Sequence, residues 1–157
     1  MNIFVLDEKP SVAARYHCDK HVVKMILETA QMLSTVHHKH GYDGEELYRP
    51  AFHRHPCTVW VGDSAANYSW TYQLLSSLCS EYTLRYNRIH ATARLLEPLS
   101  WMPEELPDEP ITPFAQAMPE DVKGPEAVAA YRNYYLKYKR RIAVWRFTEE
   151  PEWWCAA

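Results

Sequence analysis

His17-Cys18-Asp19-Lys20-His21-Val22-Val23-Lys24-Met25-Ile26-Leu27-Glu28-Thr29-Ala30-Gln31 is the stretch on which the reading of this chain turns. Wound as an α-helix at 100° per residue, it sets His17, His21, Lys24, Glu28 and Gln31 within roughly 40° of one line. Groups able to accept, donate or move a proton therefore stack along about four turns. Val22, Met25, Ile26, Ala30 and Leu33 fall on other faces and can bury the helix. A solvated helix face is usually built from Glu, Lys and Arg. Two histidines one turn apart beside a carboxylate point instead to the wall of an active site.

Working outward, the helical pattern extends from Val12 to about His37, with a joint near Tyr16-His17. Ser11 is the expected N-cap and Gly41 the C-terminal stop. Ahead of it, Ile3-Phe4-Val5-Leu6 reads as a short strand or an apolar segment tucked into the core. After it, Tyr42 to Pro56 forms a loop carrying His53 and His55, with Cys57 following directly. A second long helix, capped by Asp63 or Ser64, spans residues 63–97 with a joint at Asn87 and an end at Pro98. Its Tyr68, Tyr72, Leu75, Cys79, Tyr82 and Tyr86 recur at helical spacing, a buried stripe in which Cys79 is a packed thiol.

Seven prolines between Pro98 and Pro125 make residues 98–125 an extended connection, with a short turn at most near Phe114 to Met118. Phe114 and Met118 are expected to pin it to the core. Pro125 suits the first position of a last helix from Glu126 to about Trp145, and Trp153-Trp154 packs against the helices. The expected fold is all-α: one compact domain over residues 1–157 with three or more helices. Its parts are the N-terminal segment and site helix (1–41), the aromatic helix (63–97), the proline-rich connection (98–125) and the basic helix with its Trp tail (126–157).

Composition narrows the function classes. At 157 residues the chain can bury a real core, and its 47% hydrophobic and 24% charged residues are ordinary for a globular protein. A net charge of −3 gives no global pull towards DNA, so nucleic-acid contact has to come from a local basic patch. No apolar run of membrane-spanning length occurs, and the N-terminus turns acidic before a signal core could form. The expected location is the cytoplasm, the host cytoplasm if the chain is phage-encoded, with Cys18, Cys57, Cys79 and Cys155 reduced.

Three constellations could carry chemistry. Arg132, Lys137, Lys139, Arg140, Arg141 and Arg146 follow one another with no intervening acid, interleaved with tyrosines such as Tyr135. Such cations neutralise phosphates, and the rings can stack, so DNA or a nucleotide is the expected partner. His17 and Gln31 extend the candidate contact surface. Cations near a helix C-terminus also simply offset its dipole, and Glu149, Glu150 and Glu152 could dilute the patch. Next, His17, Cys18 and His21 have spacings that reach one metal ion, with His55 or Cys57 completing a zinc or iron site, although no strict zinc pattern is matched. Last, Glu28 between His21 and Lys24 can stabilise a developing cation or take up a proton. A base-processing enzyme without cofactor, a zinc or iron enzyme and a non-catalytic nucleic-acid-binding module all remain open on these residues.

Asp19-Lys20-His21 followed by Glu28 resembles the Asp-Gln-His and catalytic glutamate of the pyrimidine-dimer DNA glycosylases of the phage T4 endonuclease V type. The order of parts is similar, and Tyr131-Arg132-Asn133-Tyr134-Tyr135-Leu136-Lys137 echoes that family's Tyr-Lys-Tyr-Tyr ending. The chain also resembles uncharacterised phage-encoded proteins with a His-Cys-Asp-Lys-His-Val-Val-Lys-Met core. The glycosylase resemblance implies a compact all-α fold acting on damaged or modified pyrimidines in DNA. An N-terminal amine would attack C1′ and form an imine that leads to strand cleavage. Glu28 would stabilise the cationic sugar and assist elimination, and His21 would contact DNA or position the reacting group. In the family the amine follows removal of the initiator Met, which needs a small second residue. Asn2 is not small, so Met1 is expected to remain and supply the amine, with Lys24 as a substitute.

Overall fold

The computed structural model describes residues 1–156, which form an all-α single domain without a strand among the described residues. Two long helices carry it. α2 (Asp19–Lys39) packs along α4 (Ala65–Tyr86), α1 (Pro10–Tyr16) crosses α4, and α3 (Pro56–Val61) leans on α2. Val22, Met25, Ile26, Ala30 and Leu33 are all buried, as the periodicity requires. Leu74, Leu75 and Leu78 meet them from α4.

The joint near Tyr16-His17 exists and has an electrostatic cause. Between α1 and α2 the backbone at His17 and Cys18 is extended, which frees carbonyl groups that a continuous helix would satisfy. Arg85, 5% exposed, reaches across from α4 to bond the carbonyls of Arg15 and His17, both at 2.8 Å. Its guanidinium also pairs with Asp19 at 3.1 Å and Glu81 at 3.0 Å. Asp19 in turn donates its N–H to the Val144 carbonyl (2.9 Å) and accepts from the Arg146 N–H (2.8 Å). The first turn of α2 is thereby tied to the C-terminal chain.

Several sequence expectations need correction. α1 starts at Pro10 with Lys9 as its cap, so Ser11 lies inside the helix: proline's preset φ favours the first position. Ile3 to Leu6 is no strand. All four residues are buried side by side among helices that offer no strand partner. α4 ends at Asn87, which takes a left-handed conformation (φ 50°), and Ser64 provides its N-cap. A 3-10 turn (Ala91–Leu95) and α5 (Leu96–Leu99) follow, with Pro98 in the first turn of α5, where proline is tolerated because its missing N–H has no partner within that helix. Gly41, at φ +89°, follows α2 as expected.

The proline-rich connection is extended as expected. It bends at Met118 without forming a helical turn at 114–118, and makes a 3-10 turn at Glu120–Val122 instead. The Asn67 side chain fastens it, bonding the Thr112 N–H at 3.0 Å and the Thr112 hydroxyl at 2.8 Å. Phe114 is held between Trp60 and Trp70 at ring distances of 5.0 and 4.9 Å. α6 (Ala127–Tyr134) is the largest departure from expectation. It widens into a π-turn at Tyr135–Lys139 and stops there, well before Trp145. Lys137, Lys139, Arg140 and Arg141 crowd like charges onto one turn, and burial of Ala143 and Trp145 draws the chain back over α2. A short α7 (Glu152–Cys155) seats Trp154 on Trp145 at 5.0 Å. No described helix is long and apolar enough to cross a membrane.

Candidate active site

The N-terminal segment runs through the core and ends beside Glu28. Phe4 stacks on the His21 ring at 4.5 Å and meets Tyr131 and Tyr135 edge-on. Asn2 is buried in a polar socket. Its Nδ2 donates to the Ala117 carbonyl (2.9 Å), and its Oδ1 accepts from the Ile3 N–H (2.8 Å) and, more weakly, the Cys57 thiol (3.6 Å). The Tyr131 hydroxyl lies 3.0 Å from the same oxygen and donates to the Ala115 carbonyl at 2.7 Å. The first residues thus have one available position.

At that position the Met1 α-amine lies 3.5 Å from Glu28 Oε2, and the Asn2 N–H donates to the same oxygen at 3.0 Å. Lys24 Nζ pairs with Oε1 at 3.2 Å. Glu28 is 8% exposed, a buried carboxylate held by two cationic groups and one amide. The Met1 side chain is only 2% exposed although the residue as a whole is half-buried, so its backbone end is what reaches solvent. Lys24, with 60% of its side chain exposed, remains a hydrated cation beside the site.

His55 sits at the N-cap of α3, where its Nδ1 accepts the Cys57 N–H at 3.2 Å, two residues before the thiol that reaches Asn2. Burial pushes its pKa down, and the α-ammonium acts the same way while Glu28 opposes them. Cys57 is raised to about 11, chiefly by burial, so it stays a thiol and donates to Asn2. Met1, Lys24, Glu28 and His55 therefore converge.

His17 and His21 do not join them. His21 sits two turns before Glu28, under Phe4, with its Nδ1 sharing a 2.5 Å hydrogen bond with the buried Tyr135 hydroxyl. Burial lowers it to about 3, helped by the charges of His17 and Lys139. His17 lies outside α2, donates from Nδ1 to the Ala13 carbonyl (2.7 Å), and is lowered to about 4 by burial. Cys18 is buried beside Tyr135, and its pKa is raised by burial. Among the described residues no three His, Cys, Asp or Glu side chains gather closely enough to hold a metal ion. Gln31 is half-buried on the turn after Glu28. One further turn along, Thr35, Pro50, His53, Thr58 and Val59 line a mainly apolar cavity of about 370 Å³, and the Thr58 hydroxyl is buried without a partner.

The basic series divides into two sets. Arg132 is inward: it donates to the Leu6 carbonyl (2.9 Å), pairs with Asp7 and lies over the rings of Tyr16 and Trp153. Lys139 covers Tyr134 at 4.6 Å, and Lys137 is paired with Asp121. Tyr135 has no outer surface. Arg140 and Arg141 are exposed, and Arg141 joins Lys20, Arg146 and Phe147 around a groove of about 480 Å³ at the start of α2. Glu149, Glu150 and Glu152 line a separate groove with Arg15 and Tyr16.

Asn2 and Arg85 were missed as organisers of the site. Each had a faint signal, a polar residue heading an apolar run and a lone cation on an otherwise apolar helix face.

The family description "Pyrimidine dimer DNA glycosylase" matches residues 1–94, which takes in the N-terminal segment, α2, α3 and α4. No curated protein and no solved structure gives a significant match. The chain belongs to the pyrimidine dimer DNA glycosylase family.

Proposed function

We propose that this protein is a DNA glycosylase that releases damaged or modified pyrimidines, and that strand cleavage at the emptied sugar follows. The observation that carries the reading is the terminal amine 3.5 Å from Glu28 Oε2, delivered across 27 residues by a buried segment and open to solvent at its backbone end. Such proximity fixes nucleophile and carboxylate together before substrate arrives.

The amine, once it has passed a proton to Glu28, attacks C1′ with its lone pair. The C1′–N1 bond breaks, and its electrons leave with the base, which takes the proton held by Glu28 and restores the carboxylate. A second amine proton moves to the ring oxygen as the C1′–O4′ bond breaks, and the nitrogen, with one proton left, forms a protonated imine to C1′. A carboxylate at this distance also stabilises the positive charge that develops on the sugar. In the lyase step Glu28, again a carboxylate, removes a C2′ proton; the freed electron pair forms the C2′–C3′ double bond as the C3′–O bond breaks, and the 3′-phosphate departs. His21 acts through Phe4 as a positioning residue, and His55 is the group placed to shuttle protons at the amine. The cationic groove of Lys20, Arg141 and Arg146, with Arg140 beside it, suits the phosphate backbone.

If Met1 is removed in the cell, the Asn2 nitrogen becomes the terminal amine, already 3.0 Å from Glu28. Borohydride reduction in the presence of dimer-bearing duplex DNA tests the reading. A trapped adduct should map to the N-terminal peptide and disappear in Glu28→Gln. An adduct on Lys24, or undiminished base release by Glu28→Gln, would overturn the assignment.

A further inference from the structure

Between α2 and α3 lies a loop that the amine chemistry does not use, and its geometry is unusual. Phe52 is 66% exposed and has φ +51°, a left-handed conformation that non-glycine residues adopt only under strain. Glycine or asparagine would make this turn more cheaply, and the ring is left facing outward. The loop is nonetheless stiff. The Ala51 N–H bonds the Thr35 hydroxyl at 3.0 Å, and the His55 N–H bonds the Phe52 carbonyl at 2.8 Å. Pro50 and Pro56 bracket it.

Its anchors place the ring beside the candidate site. Thr35 and Glu28 lie on one face of α2, about 10 Å apart along the axis. Ala51 is fixed at the first; the Phe52 carbonyl holds the His55 N–H, and Cys57 two residues further on reaches Asn2, whose N–H binds the second. His53 and Arg54 are exposed next to it, as is Arg49. A rigid, outward apolar ring flanked along the chain by Arg49 and Arg54 fits a stack of bases bordered by phosphates.

We propose that Phe52 is a wedge that enters the base stack of duplex DNA at the target step and opens it, so that the sugar C1′ can reach the terminal amine. The proposal deepens the glycosylase reading and rests on it for the target. Chemistry on a stacked nucleotide requires unstacking, and a side chain that fills the gap offsets part of that cost.

The test uses a duplex carrying one pyrimidine dimer with 2-aminopurine as the neighbouring base, and the same strand alone. Native protein should brighten 2-aminopurine in the duplex, and Phe52→Ala should lose most of that rise at saturating protein. Duplex cleavage by Phe52→Ala should fall at least tenfold more than single-strand cleavage, with Phe52→Trp recovering it. Phe52→Gly separates the wedge from a packing role: it should melt no lower than native, because glycine relieves the strained φ, yet share the duplex defect. Equal brightening by native and Phe52→Ala proteins, or an equal loss on duplex and single strand, would overturn the wedge. Brightening by native protein without any base release would retain the wedge and sink the glycosylase reading.

Discussion

α2 and α4 are almost equal in length, and Glu28 on the first and Arg85 on the second are buried charges held in different ways. Arg85 on α4 is enclosed by two carboxylates and two carbonyls that all belong to fixed elements. Glu28 on α2 is held by the chain terminus, a hydrated lysine and one amide. The structural charge has partners that cannot leave. The candidate catalytic charge has partners that can react or withdraw, which is what proton transfer at that carboxylate requires.

The strongest challenge to this contrast is to neutralise each charge. Glu28→Gln should lower base release by about 10²–10⁴-fold while the helical circular dichroism persists. Arg85→Met should do the reverse, costing about 3–5 kcal/mol in denaturant unfolding, because the buried Asp19 loses its cation and the Arg15 and His17 carbonyls lose their donor. If Arg85→Met unfolds no more easily than the native protein, α4 is not the scaffold described.

Acid provides a milder test. His17 and His21 are held neutral in the fold, at about 4 and about 3, against 6.5 for the free side chain. The unfolded chain therefore binds more protons below pH 6.5, and stability falls as the pH drops through that value towards the folded pKa values. Each ring adds a slope of at most about 1.4 kcal/mol per pH unit. Urea unfolding at several pH values should show the decline, and His21→Phe should flatten it.

The smallest effect belongs to the exposed cations. Arg140→Ala with Arg141→Ala should reduce the salt dependence of DNA binding by about two phosphate contacts, with melting unchanged. An unaltered salt slope would move the interface elsewhere.

Much of this was visible in the residues before folding. The α2 stripe, the apolar faces of α2 and α4, the Ser64 cap and the stop at Gly41 depend on neighbours within a few turns, and periodicity reports those. The convergence of Met1 with Glu28 and His55 was a question the sequence could pose but not answer. His17 looked like part of the polar stripe because spacing alone cannot show that the helix breaks there, and Arg85, which stabilises the break, lies 68 residues away. The early end of α6 likewise depends on Asp19 binding the chain at Val144 and Arg146.

The socket around Asn2 has a consequence for the order of folding. Its walls are Cys57, Ala117 and Tyr131, so Asn2 cannot be enclosed until residues 115 and 129 positions further along the chain have folded against it. The pairing of Met1 with Glu28 is therefore among the last contacts the fold completes, and residues fused ahead of Met1 would remove the charged amine from it.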